Sequence, residues 1–273
     1  MAHPRVRIPS LLALTLGAAL VLATAGCGSS DTSAKSASPS SDGKQKSAPV
    51  VVATTTWEGA FAKAAGARDV KVIVPPSVHH APDYDPKPSD LAAVAGADFV
   101  LYAPFEPYAA KIKQAAGSKA KLVEVNLDND ADKATAEVAS LGKLFGTQDA
   151  AARWKTSFDA EYGTLQQDLK AAWPGGKAPA VVAQVFSTWS AKMAGAEVVG
   201  TYGPEAVTAQ QLAELSKKKP ALVLDNVHMT TGTVLPDSGA KQIEVVNYPD
   251  KDLDLLAVYK AAAAVVKKGM SGS

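Results

Sequence analysis

The sequence predicts an α/β protein: two α/β lobes with mainly parallel sheets, joined by one long rigid helix. Three observations predict it. Short β-branched runs alternate with small-residue helical runs from Pro49 to about Leu127. A stretch with one apolar face then breaks the alternation from Asp149 to Trp173, and strand–helix alternation resumes from Ala178. Hydrophobic content of 47% and a net charge of +1 suit a globular chain, with no basic stripe for nucleic acid.

The first 27 residues read as an export signal. Arg5 and Arg7 precede the apolar run Leu11–Gly26, which is shorter than the about 20 residues a membrane span needs. Cys27, the only cysteine, follows Ala25-Gly26 directly and cannot form an internal disulfide. Its position resembles a bacterial lipobox, although Thr24 stands where leucine is usual, so Cys27 is the expected lipidation site. Residues 28–48, rich in Ser, Lys and Asp, cannot bury a core and read as a flexible tether.

Residues 49–148 form the expected first lobe. "PVVVATTTW" reads as a buried strand that places Trp57 at its end; "EGAFAKAAGA" reads as a helix, and "DVKVIVPP" as a strand stopped by Pro75-Pro76. "KPSDLAAVAGA" is a helix with Ser89 as the expected N-cap, followed by strand "DFVLYAP", helix "EPYAAKIKQAAG" and strand "AKLVEVNL". Residues 149–174 form the connecting helix: Trp154, Phe158, Tyr162, Leu165, Leu169 and Trp173 recur on one face, and Pro174-Gly175-Gly176 stops it. In the second lobe, residues 175–273, strands are read at "APAVVAQVFS", "PALVLDNVH" and "KQIEVVNYP". Helices are read at "TAQQLAELSKKK", capped by Thr208, and at the closing "DLDLLAVYKAAAAVVKKG".

The string "DYDPKPSDLAAVAGADFVLYAPFE", Asp83 to Glu106, resembles the first lobe of the zinc/manganese type of metal-binding ABC-transporter solute-binding proteins. "GPEAVTAQQLAELSKKKPALVLDN" and "SGAKQIEVVNYP" are similar to that family's later helix and strands. The resemblance implies two lobes around a metal-binding cleft, a lipid-anchored extracytoplasmic receptor, a permease partner and no enzymatic activity. The usual ligand positions are altered, however. Pro82 stands where the family has a histidine before the acid–Tyr pair. The segment from Asn126 to Gly146 has no histidine, Gln184 and Ser187 occupy the third region, and Asn247 stands at the last acidic position.

Three of the four histidines nevertheless follow strands: His79 and His80 in the first lobe, His228 in the second. Ligands of open α/β sheets bind beyond the carboxyl ends of the strands. The expected metal donors are therefore His79, His80, His228 and Asp225, with Asp83, Asp85 or Glu106 as further oxygen donors. Successive residues of an extended chain point apart, so one of the adjacent histidines suits a single ion better than both. Trp57, Asp83, Tyr84, Asp85, Glu106, Ser187 and Asn247 are expected to line the cleft. The acids Asp128, Asp130 and Asp132 alternate as in a calcium loop but lack its glycine and distal glutamate.

Expected partners are a divalent metal ion as ligand (zinc, or manganese), an ABC permease and the membrane through the lipid anchor. The chain is expected to be monomeric and to bind no nucleic acid. A same-fold receptor for a metal chelate or small organic molecule is the alternative, and an interaction module without transport is a third. No nucleophile elbow, P-loop or dinucleotide fingerprint is present.

Overall fold

The computed structural model describes residues 49–78, 80–230 and 232–271. The expected signal, Cys27 and the tether lie outside them, as does His79.

Each lobe is built on four parallel strands. In the first, β1 (Val50–Ala53), β2 (Asp69–Val72), β3 (Phe99–Tyr102) and β4 (Lys121–Glu124) lie in the order β2-β1-β3-β4. In the second, β5 (Ala180–Gln184), β6 (Glu197–Tyr202), β7 (Leu222–Asn226) and β8 (Lys241–Val245) repeat that pattern as β6-β5-β7-β8. Central β7 is buried throughout, as a strand covered on both faces must be. In each sheet the chain reverses direction of winding beside the first strand. This puts one switch point between the ends of β1 and β3, and another between β5 and β7.

The helices are α1 (Thr56–Ala64), α2 (Pro88–Ala95), α3 (Ala109–Ala116), α4 (Ala131–Phe145), α5 (Gln148–Ala171), α6 (Thr188–Met193), α7 (Ala209–Lys217) and α8 (Leu255–Met270). α5 is the expected connecting helix. Phe158 and Leu169 are buried, and Phe158 stacks between Trp154 and Tyr162 at ring-centroid distances of 4.9 and 5.6 Å. Tyr259 of α8 meets Phe158 edge-on at 4.9 Å, and Trp189 of α6 meets Tyr259 at 5.2 Å. Trp173 lies past the end of α5 and donates from Nε1 to the Ala194 carbonyl at 3.0 Å. One apolar core runs from Val51 and Phe61 of the first lobe, under α5, to Val181, Leu224 and Tyr259, so the lobes share their interior.

Several elements differ from expectation. The first strand ends at Ala53, and Trp57 stands in the first turn of α1 rather than at a strand end. Thr55 ends the strand early because it caps α1. It accepts the Trp57 N–H while Glu58 accepts the Thr55 N–H, a reciprocal capping box. Ser89 is not the N-cap of α2. Pro88 takes the first helical position, and Asp90 Oδ2 accepts the Lys87 N–H at 2.9 Å. The segment Asp128–Gly146, for which the sequence pattern predicts no element, carries α4. Asp130 caps it, and Gly146 ends it at φ +73°, where the missing Cβ lets the chain turn straight into α5. The pattern likewise predicts neither α6 nor β6. Thr208 caps α7 as expected, with Gln211 completing the box.

Candidate functional site

A cleft of about 300 Å³ opens between the lobes at the carboxyl ends of the strands. First-lobe walls come from Thr55 and Thr56 at the start of α1 and from the Val74–Ala81 loop after β2. Second-lobe walls come from His228 after β7 and from Val246, Tyr248, Pro249 and Asp250 after β8.

His228 reaches the cleft because β7 stops at Asn226 and turns there. Asn226 Oδ1 accepts the His228 N–H at 3.0 Å and fixes that turn. The imidazole stands edge-on to Tyr248, with ring centroids 4.6 Å apart. Tyr248 also meets Trp57 edge-on at 5.1 Å, so this second-lobe phenol lies between a second-lobe histidine and a first-lobe tryptophan. Burial, then the charges of Glu58 and Glu106, pushes the Tyr248 phenol up to about 12. Asp250 is exposed at the cleft edge.

The other expected site residues are placed as follows. His80 precedes a 3-10 turn over Ala81–Asp83, and its Nδ1 lies 3.1 Å from Asp83 Oδ1 in a largely exposed pair. Tyr84 donates its hydroxyl to Asp90 Oδ2 at 2.8 Å and thereby anchors the start of α2; Asp85 pairs with Lys111. These acids therefore serve the loop and the helices around it. Asp225 is fully buried and accepts from Tyr202 at 2.6 Å, Thr230 at 2.8 Å and Gln242 at 3.2 Å. Three donors on one carboxylate make it the polar anchor of the second lobe. Asn247 accepts the Trp189 indole N–H at 3.0 Å and donates to the Phe186 carbonyl at 3.0 Å. Its own carbonyl accepts from Asn129 at 2.9 Å, tying the first lobe's exit to the second lobe. Ser187 is buried in a 3-10 turn after β5, at the second switch point.

Glu106 lies inside the first lobe, 4% exposed. Its carboxylate accepts from Thr54 at 3.2 Å, Tyr108 at 3.1 Å and the Ala103 N–H at 3.3 Å. The Thr54 hydroxyl lies 2.9 Å from Glu58 Oε1 as well, so one hydroxyl bridges two buried carboxyl groups at the first switch point. Burial, then the charge of Glu58, pushes Glu106 up to about 8; burial also pushes Glu58 up.

Glu58, Tyr248 and Asp250 were not singled out from sequence. The Thr55–Glu58 spacing did carry a capping-box signal, and "NYPD" follows a strand as ligand loops do. Neither signal reveals burial. Among the described residues, no three His, Cys, Asp or Glu side chains gather into a metal-holding group. Also among them, no helix is long and apolar enough to cross a membrane.

Residues 51–143 match the family model described as ZnuA: Zinc-uptake complex component A periplasmic. A search of curated proteins gives no match. Solved structures share the fold. The laminin-binding protein Lmb of Streptococcus agalactiae, described as bifunctional with adhesin and metal transporting activity, is 17% identical at a TM-score of 0.59, covering 80% of this chain and 99% of its own. The solute-binding protein FpvC of Pseudomonas aeruginosa, in complex with Ni2+, is 15% identical at 0.61, covering 83% and 99%. The periplasmic heme-binding protein BhuT, with two hemes, is 15% identical at 0.56, covering 81% and 100%.

Proposed function

We propose that this chain, with the fold of the metal-receptor solute-binding proteins and a first lobe that matches the zinc-uptake family model, captures a divalent metal ion between its lobes and delivers it to an ABC permease. In this reading it is exported and held at the membrane through a lipid on Cys27, with residues 28–48 as tether. The metal is cargo, and no chemistry is done on it.

One observation carries the reading. His228 of the second lobe and the first-lobe loop that bears the histidine pair line the same cleft. An ion bridging them would gain nitrogen from His228 and from His79, the chain neighbour of cleft-lining Val78, with oxygen from Asp250. That mixed set suits zinc and also manganese or nickel. Bonds to both lobes would hold the cleft shut, which is the form a permease can recognise.

The test is calorimetric titration of the chelator-stripped chain with zinc and with manganese, alongside His228→Ala and His79→Ala. One-to-one binding is expected, weakened at least about tenfold in each variant, as for a lost ligand bond. Absence of binding to either ion in the native chain would defeat the reading.

The cleft lining supports a second reading. Pro75, Pro76, Pro249, Val74 and Val78 give it apolar walls, and His228 and Asp250 are its metal-type donors among the described residues. Such walls suit a metal chelate or a small organic guest. Mass spectrometry of small molecules released from the purified chain separates the two readings.

A further inference from the structure

We propose that a second hollow, walled by α4, α5 and α6, is a binding site for a small zwitterion, a molecule with the size and charge pattern of a free amino acid. Its volume is about 280 Å³, and it shares no lining residue with the cleft, so the proposal stands whichever ligand the cleft takes.

Gly163 stands inside the 24-residue α5, although glycine is the poorest helix former after proline. A glycine in a helix usually has a packing or functional reason. Gly142 has a packing reason, since a Cβ there would stand 2.6 Å from the Ala151 Cβ. Gly163 has none: a Cβ there would meet nothing within 4 Å among the described residues, and its φ is not left-handed. Its bare backbone instead forms part of the wall of the hollow. The missing side chain leaves room for a guest to lie against the helix.

The charges around that space come as pairs. On α5, Lys155 meets Asp159 at 2.5 Å. From α6, Lys192 reaches Asp130 at 2.7 Å and Asp132 at 3.1 Å at the start of α4. Lys155, Asp159, Lys192 and Asp132 all line the hollow, and each side chain is about half exposed or more, so a guest can reach them. A guest of one sign would attract one member of each pair and repel the other. A guest with both signs satisfies both, its carboxylate on the lysines and its ammonium on the aspartates.

The remaining lining suits the same class. Thr135 gives its proton to the Ala131 carbonyl, which leaves its oxygen able to accept. Tyr162 and Gln166 add a hydroxyl and an amide that bond to no other described residue. Ala131 and Phe158 supply a small apolar patch for a carbon skeleton. Sites for drug-sized molecules start at about 300 Å³, so this hollow suits a smaller guest.

The test is NMR titration of the isotope-labelled full chain with each standard amino acid. Acetate and methylammonium serve as single-charge probes and glucose as a neutral polyol. At least one amino acid is expected to give saturable amide shifts at residues 131–135, 155–166 and 192, which the other probes do not give at the same concentration. Gly163→Leu fills the hollow with a better helix former, so its unfolding midpoint is expected to rise while amino-acid binding is lost. Lys155→Met keeps the stem on an exposed helix face and is expected to weaken binding at least about tenfold, as for a lost charge-assisted hydrogen bond. The proposal is overturned if no amino acid shifts these residues, if acetate, methylammonium or glucose shifts them equally, if the shifts centre on residues 228 and 246–250 of the cleft, or if either variant binds as the native chain does.

Discussion

Asp225 shows how much one carboxylate can be asked to hold. Its three side-chain donors come from β6, the loop after β7 and β8, so it fastens three segments of the second lobe at a fully buried point. Tyr202→Phe keeps the ring and removes the shortest of these bonds. The expected loss is about 1–3 kcal/mol, the cost of leaving a buried acceptor short of a donor, read from urea unfolding. An unchanged midpoint would mean that Thr230 and Gln242 suffice. From sequence, Asp225 looked like a metal donor because an acid at a strand end is what both roles require. The partners it holds in this structure lie 23, 5 and 17 residues away, beyond what a local pattern shows.

At the scale of elements, the alternation of β-branched and small-residue runs made the two lobes and the connecting helix legible. α4 was harder to see. It is rich in alanine and small residues, and its buried face of Ala134, Thr135, Val138, Leu141 and Gly142 is weakly apolar. It packs by close approach instead. A Cβ on Gly142 would stand 2.6 Å from the Ala151 Cβ of α5. Both atoms are fixed by backbone, so Gly142→Ala is expected to force α4 and α5 apart at about 1–3 kcal/mol, an overpacking cost. Adding Ala151→Gly should recover part of it despite the helix penalty of glycine. A double variant no more stable than Gly142→Ala would place the strain elsewhere. Trp57 was misplaced for a related reason. "TTTW" favours a strand by propensity, yet the Thr55–Glu58 box satisfies the backbone locally and starts a helix three residues after the strand ends.

The two lobes, by their packing, are expected to fold as one body. The core that runs from Phe61 through Phe158 to Tyr259 is common to both lobes, each of which also keeps a smaller cluster of its own on the far face of its sheet, and the Asn129–Asn247 bond adds a polar tie. Scanning calorimetry of the chain is expected to show a single transition with equal calorimetric and van't Hoff enthalpies. Two resolved peaks would show that each lobe stands alone. The resemblance in "DYDPKPSD" predicted this architecture and the cleft's position. In that string Tyr84 and the Lys87 N–H bond to Asp90 at the start of α2, Asp85 pairs with Lys111, and Asp83 lies beside His80. Val246, Tyr248, Pro249 and Asp250, distant in sequence, supply much of the facing wall.

The edge contact of Trp57 with Tyr248 also gives the cleft an optical address. Trp154, Trp173 and Trp189 sit around the connecting helix and its neighbours, whereas Trp57 touches a residue that lines the opening. Trp57 is 8% exposed, and its emission should be blue and shielded from aqueous quenchers while Tyr248 stays seated. A guest that moves Tyr248, or an ion that quenches at short range, would register in that single chromophore. Native emission minus that of Trp57→Phe then reads occupancy and opening together, with no dye attached to the protein.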